Sequence, residues 1–294
     1  MINSIRFYLL GFKGFLVLQE VIHNYGSFCI NEVIIGKDKG VENDFSTEIE
    51  NLCTIEKISF KTRLTDVECV NMLSIAIGWR WIIDIKRVQN LVILHDSLLP
   101  KYRGFNPLVS ALINGEKKIG VTSLFASENY DEGDIIYQSE IEIQYPIKIN
   151  YAIIQIANCY VDVVKKILND CMSGQILPRY KQDDRYATYS LWRDENDYKI
   201  NWNDSNERIQ RFINSVGMPY KGAITQIDNR LYIINESELI DDRFIENRCP
   251  GKVIFFDNEF PVVVCGSGLL KILEITDFET NIQHKIKSIR TRFK

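Results

Sequence analysis

Leu91-Val-Ile-Leu-His95-Asp-Ser-Leu-Leu-Pro100-Lys-Tyr-Arg103-Gly104 is the stretch whose reading decides the fold. A continuous apolar run of this kind, 91–94, reads as a strand buried on both faces of a sheet. It ends in one of only three histidines in the chain, the others being His23 and His284. Asp96 and Ser97 then turn the chain, and Pro100, a basic pair around Tyr102, and Gly104 follow. A titratable side chain at the end of a buried strand lies where open α/β sheets hold their ligands. Alone, such a histidine is more often a satisfied structural residue, so its neighbours carry the decision.

Before this stretch the pattern alternates. Residues 5–10 form a short apolar run closed by Gly11 and Gly14, and 15–22 carry apolar residues at helical spacing. Strand character returns at 32–35, 55–60 and 73–78, with helix expected over 44–52, 66–72 and 84–88. Strand, turn and helix in repetition predict a parallel sheet with right-handed crossovers. The Gly11/Gly14 pair falls short of a dinucleotide fingerprint. Beyond Gly104 a helix is expected over 107–113, stopped at Asn114-Gly115, then a strand at 119–125. An acidic loop with Glu128, Asp131, Glu132, Gly133 and Asp134 separates it from a strand at 135–138. The longest helix is expected over 151–168. Residues 180–204 are polar with interspersed Tyr and Trp, the composition of a linker packed on a surface. Ser205 then caps a helix through Val216. Short apolar runs at 223–227, 231–235, 252–256, 262–265 and 269–275 predict a small β-barrel or β-roll. The expected domains are 1–200 and 201–294.

With 294 residues, 46% hydrophobic and 25% charged, the chain has the composition of an ordinary globular protein. A net charge of −4 gives no broad nucleic-acid footprint. The seven cysteines are scattered without a C-x-x-C pair and read as reduced core thiols. Neither Cys nor His spacing forms a zinc cluster. No apolar stretch approaches the roughly 18 residues of a membrane span, and no leader pattern opens the chain. The expectation is a soluble, cytoplasmic protein without metal, with apolar C-terminal strands available for a homodimer contact.

His95 and Asp131 are the candidate catalytic pair. Each is expected just past the carboxyl end of a strand, and in a parallel sheet such ends share one edge. A carboxylate accepting from one imidazole nitrogen fixes the tautomer and raises the basicity of the other. That arrangement suits taking a proton from a nucleophile that attacks a carbonyl. Asp131 alone reads more readily as a turn residue. Gly78-Trp79-Arg80-Trp81-Ile82 ends the preceding strand with two indoles, as core packing or as a site for a flat ring. No Ser or Cys is framed as a nucleophile elbow.

The run 97–104 preceded by His95 resembles the signature of the N10-formyltetrahydrofolate-dependent formyltransferases, a family that includes methionyl-tRNA formyltransferase and the sugar N-formyltransferases. Asn114-Gly115, Gly120-Val121-Thr122, the Asp131 to Asp134 loop and the His-to-Asp spacing support the likeness. In the C-terminal part, residues 198–202, 217–223 and 250–253 resemble the family's smaller domain. The resemblance implies a Rossmann-like α/β domain with a parallel-rich sheet, followed by a small OB-like β-domain. It implies direct formyl transfer from N10-formyltetrahydrofolate to an amine, without metal. His95 and Asp131 would be catalytic. Gly78, Trp79, Arg80, Trp81, Ile82, Gly133 and Asp134 would line the folate pocket. Ser97, Lys101, Tyr102, Arg103 and Gly104 would meet the acceptor, with Arg103 suited to a phosphate.

One position departs from the family. The family carries Asn two residues before the histidine, as a donor to the developing oxyanion, and this chain carries Ile93. Losing one such donor typically costs about 10²- to 10³-fold in rate.

An acceptor as large as tRNA calls for cations along a phosphate path. Residues 126–137 carry more acid than base, and the 180–202 aromatics suit a base or a sugar face. The expected acceptor is therefore a nucleotide-linked amino sugar for a surface polysaccharide, with no nucleic acid or membrane as partner. Methionyl-tRNA formylation, hydrolysis of the formylfolate, and folate binding with weak or no turnover are the alternatives.

Overall fold

In a computed structural model, residues 5–41, 43–62 and 69–294 are described. The chain opens β1 (Ile5–Leu9), α1 (Gly11–Tyr25), β2 (Ile30–Ile35), α2 (Ser46–Ile55), β3 (Ser59–Thr62), β4 (Cys69–Ile77) and β5 (Val88–His95). It continues β6 (Arg103–Gly104), α3 (Pro107–Asn114), β7 (Lys118–Phe125), β8 (Ile135–Glu142), α4 (Ile149–Met172) and β9 (Tyr189–Ser190). Seven strands form one sheet in the order β3-β2-β1-β4-β5-β7-β8. The pairings from β3 through β5 are parallel, and β7 and β8 join antiparallel.

Two compact units make up the chain. The first comprises Met1–Leu108, Lys118–Glu142 and Ala152–Leu191, and the second Val109–Lys117, Ile143–Tyr151 and Trp192–Lys294. In the first, β1 is buried at every position, as a central strand covered on both faces must be. One face of the sheet gathers Tyr8, Ile34, Ala76, Val88 and Leu91, against which Trp79, Ile83, Ile85, Ile93 and Ala126 pack. Each large apolar side chain so buried contributes about 1.5–3 kcal/mol. The strand order reverses between β1 and β4, the place where such sheets open a crevice. There the Leu10 amide donates to the Ile77 carbonyl at 3.1 Å. Gly78 has φ +63°, and a Cβ on it would sit 2.6 Å from the Leu10 carbonyl oxygen, so only glycine fits this crossing.

The parallel βαβ rhythm holds through β5 with three departures. Residues 84–88 form a turn, not a helix: the Asp84 carbonyl accepts from Arg87 and Val88, and its carboxylate accepts from the Lys86 amide. An Asp satisfying the backbone two residues on favours a turn, and Val88 is already in the β4 ladder. Of the helix expected over 66–72, residues 69–72 lie in β4 and 66–68 fall outside the described residues. The strand expected from residue 55 begins at Ser59, because Ile55 closes α2.

In the second unit α5 (Asn206–Val216) is capped as expected, the Ser205 hydroxyl accepting from the Arg208 amide at 3.2 Å. β10 (Ala223–Ile227), β11 (Arg230–Ile240), β12 (Val253–Asp257), β13 (Phe260–Val264) and β14 (Leu269–Asp277) form an antiparallel sheet, order β10-β11-β14-β13-β12. Among the described residues no pairing joins β10 to β12, so the sheet is open. Trp202 is buried here, its indole N–H donating to the Thr225 hydroxyl and its ring 5.2 Å from that of Phe293.

Candidate active site

Alternation along β5 sets Leu91, Ile93 and His95 on one face. His95 is 7% exposed. Its Nε2 lies 2.8 Å from the Tyr102 carbonyl oxygen, and its Nδ1 lies 3.4 Å from Asp131 Oδ1. The second oxygen of that carboxylate, Oδ2, accepts from the Gly104 amide at 2.8 Å. The pair expected from the sequence is therefore together in space.

The route by which it meets differs from the expected one. Since β7 runs antiparallel to β5, Phe125 lies opposite Val92 while Thr122 lies opposite His95. The loop after β7 thus leaves the sheet away from His95 and has to fold back. Asp131, at φ +57°, takes the left-handed turn this requires. Gly133 presses so closely on β7 that a Cβ would lie 1.7 Å from the Phe125 carbonyl oxygen. Any side chain there would push the loop, and Asp131 with it, out of place.

The signature loop is held from within. The Ser97 hydroxyl is buried and donates to the Lys101 carbonyl at 2.6 Å, and the Thr122 hydroxyl donates to the Ser97 carbonyl at 2.6 Å. Tyr102, at φ +59°, gives its amide to the Thr188 hydroxyl. Gly104 has φ +98°, with the Ser190 carbonyl oxygen 2.6 Å from where a Cβ would stand. Lys101 is exposed at the loop's tip.

Arg103, expected to meet the acceptor, is turned inward. It is 2% exposed. Nε and Nη2 donate to Gln182 Oε1 at 3.1 and 2.9 Å, Nη2 donates to Asp184 Oδ1 at 2.7 Å, and Nη1 stands 3.5 Å from Glu132 Oε1. Burial works against its charge, but Asp184 and Tyr189 outweigh that and raise its pKa above the ordinary value. The Gln182 amide donates in turn to the carbonyls of Asp131 and Gly133, at 2.7 and 2.9 Å. One fork of hydrogen bonds thus ties the signature loop, the 180–190 segment and the acidic loop together.

Of the residues expected to wall the folate pocket, Gly78 to Ile82 follow β4 at the point where the strand order reverses, and Gly133 and Asp134 lie between β7 and β8. Trp79 meets Tyr8 edge-on at 5.3 Å and Trp81 at 4.9 Å, and both indoles crowd Gly36, where a Cβ would come within 2.7 Å of Trp81. Arg80 is paired with Asp38, and Ile82 is 81% exposed. Asp134 faces Arg179 at 3.6 Å, and Arg179 lies over the Phe125 ring. The Asn129 side-chain amide donates to Glu132.

Asp96 has more structure around it than a turn residue needs. Lys13 donates to Oδ2 at 2.5 Å and the Tyr160 hydroxyl donates to Oδ1. Burial alone would raise its pKa; the Lys13 charge and these hydrogen bonds prevail and hold it below the ordinary value. Lys13, Tyr160 and Gln182 escaped the sequence reading because each acts on a residue at least 64 positions away. Among the described residues no group of three or more His, Cys, Asp or Glu could hold a metal, and no helix is long and apolar enough to cross a membrane.

The chain is similar to known proteins. Residues 75–151 match the Formyl transferase family and 193–287 the Formyl transferase, C-terminal domain. The methionyl-tRNA formyltransferase of Halothermothrix orenii is 32% identical over 230 residues, covering 75% of this chain and 71% of its own. That of Clostridium novyi is 34% identical over 186 residues, covering 62% and 58%. Among solved structures, the sugar 3N-formyltransferase WlaRD, determined with dTDP and 5-N-formyl-THF, superposes with a TM-score of 0.70 at 20% identity, covering 92% of this chain and 98% of its own. The N-formyltransferase of Helicobacter canadensis, complexed with folinic acid and dTDP-3-aminofucose, gives 0.70 at 19%, covering 92% and 99%. At such identities the superpositions speak for the fold, and the family rests on the sequence matches: the chain belongs to the formyl transferase family.

Proposed function

We propose that this formyltransferase moves the formyl group of N10-formyltetrahydrofolate onto the amine of a nucleotide-linked amino sugar, in surface polysaccharide synthesis. The observation that carries the acceptor class is the fate of charge around His95. The arginine of the signature loop is spent on Gln182 and Asp184. The neighbouring loop carries Glu128, Asp131, Glu132 and Asp134, with no Lys or Arg among residues 126–134. A tRNA backbone would approach this rim against like charge. A small acceptor bearing an amine meets carboxylates that favour it.

In this reading the amine nitrogen attacks the formyl carbon, and His95 takes the proton it sheds, with Asp131 stabilising the cation that forms. The bond from carbon to N10 breaks, its electron pair stays on nitrogen, and tetrahydrofolate leaves with a proton. Gly78 to Ile82, Gly133 and Asp134 would hold the folate. The Trp79 indole N–H, buried without a hydrogen bond, is a donor suited to an acceptor-rich pterin ring. Lys101 and Tyr102 would face the sugar nucleotide.

The test is transfer of labelled formyl from N10-formyltetrahydrofolate to nucleotide-linked 3- and 4-amino sugars, beside charged initiator tRNA. Product on a sugar supports the proposal. Product on tRNA alone overturns it in favour of the activity named for the 32%-identical relative. Formate release at full rate without acceptor would make the protein a hydrolase.

A further inference from the structure

The two ring nitrogens of His95 face two groups that only accept hydrogen bonds, a backbone carbonyl and a carboxylate. A neutral imidazole carries one N–H and can satisfy one of them. The Tyr102 oxygen is at 2.8 Å from Nε2, a good hydrogen-bond length, whereas Asp131 Oδ1 is at 3.4 Å from Nδ1, beyond the usual range. We infer that the Tyr102 backbone carbonyl, and not Asp131, fixes the His95 tautomer as Nε2–H, leaving Nδ1 as the nitrogen that takes the proton of the acceptor amine. This deepens the formyl-transfer reading and rests on it for the proton's destination.

The surroundings are built for that division of labour. The Tyr102 carbonyl is held from both sides: the preceding peptide gives its amide to the Thr188 hydroxyl and its carbonyl accepts from Ser97, and in the carbonyl's own peptide the Arg103 amide donates to the Thr188 carbonyl at 2.8 Å. Asp131 is anchored through its other oxygen by the Gly104 amide. Oδ1 and Nδ1 stand 3.4 Å apart, a separation that lets an amine nitrogen lie about 3 Å from each. A primary amine there gives one N–H to Nδ1 and one to Oδ1, and its lone pair is left for the formyl carbon. As the new C–N bond forms, the nitrogen turns cationic and its proton passes to Nδ1, producing an imidazolium flanked by two acceptors. The same proton can then return to N10 as the C–N10 bond breaks, so His95 ends as it began. Were Nε2 the base, the Tyr102 carbonyl would have to leave it first. Tyr102 is thus a positioning residue acting through its backbone.

Nitrogen-15 NMR of the whole protein reads the tautomer directly, at a pH where the ring is neutral, with His95→Gln identifying the signals against His23 and His284. The expected result is an Nε2–H tautomer at His95. It persists in Asp131→Asn, while kcat falls on the order of 10²-fold because the flanking charge is gone. An Nδ1–H tautomer in the wild-type protein overturns the inference, and so does a tautomer that changes or averages in Asp131→Asn. If the variant does not fold, the wild-type spectrum still decides. Because the spectrum needs no acceptor, failure to formylate any sugar would sink the proposed function and leave this result standing.

Discussion

The guanidinium of Arg103 and the carboxamide of Gln182 share two hydrogen bonds, both onto Gln182 Oε1. The opposite end of the same carboxamide holds the Asp131 and Gly133 carbonyls, so a buried cation and the loop bearing Asp131 hang on one side chain.

Gln182→Leu is expected to cost about 2–3 kcal/mol in stability, because it strips two hydrogen bonds, both onto one acceptor, from a buried charge and takes the Gln182 donor from two carbonyls. Its kcat is expected to fall further than a surface substitution would explain, on the order of tenfold, as Asp131 loses its register. Urea midpoints and steady-state kinetics check both; a variant with unchanged stability would show that the clasp carries no energy.

Arg103→Lys separates the clasp from a phosphate grip. Lysine lacks the planar fork that meets Gln182, Asp184 and Glu132 together. The variant is expected to unfold at lower urea, with the ratio of kcat/KM for a nucleotide-linked amino sugar to that for the free amino sugar unchanged. A collapse of that ratio in a stable variant would return Arg103 to the phosphate.

These two residues mark the limit of what the sequence discloses. His95 was legible because an apolar strand ends on it, and Ser205 because a capping serine before a helix acts on its neighbours. Hydrophobic periodicity reports a strand but not its direction, so the antiparallel course of β7 was invisible, although Asp131 was still found. Arg103 has the appearance of an exposed loop cation until Gln182, 79 residues on, is brought against it. Asp96 likewise gains its role only when α1 and α4 deliver Lys13 and Tyr160.

Asp96 should make stability depend on pH in the acid range. Its folded pKa lies below the ordinary 3.8, with the Lys13 charge and the hydrogen bonds from Lys13 and Tyr160 prevailing over burial. A carboxyl depressed on folding adds stability that is fully present above its unfolded pKa and is lost as pH falls through the folded one. Asp96→Asn is therefore expected to be less stable than wild type at neutral pH, and to lose less stability on acidification below about pH 4. Thermal or urea unfolding across that range reads the difference, and parallel curves for the two proteins would refute it.

Ile93→Asn tests whether the oxyanion is under-served. Positions 93 and 95 lie on one face of β5, two residues or about 7 Å apart along the strand. Ile93 packs there against a cluster that includes Tyr8, Ala76 and Leu91, so this side chain offers hydrophobic contact and no hydrogen-bond donor. A carboxamide in its place would bring an N–H toward oxygen charge developing beside His95, an effect worth about 10²- to 10³-fold where such donors are removed from other enzymes. Placing a polar group in the cluster opposes this, at roughly 1–3 kcal/mol of stability. The expected variant is less stable and faster, with kcat raised on the order of tenfold while it remains folded at the assay temperature. A folded variant whose kcat is unchanged or lower would mean that a donor other than the side chain at 93 already serves the formyl oxygen, and that Ile93 is there for packing alone.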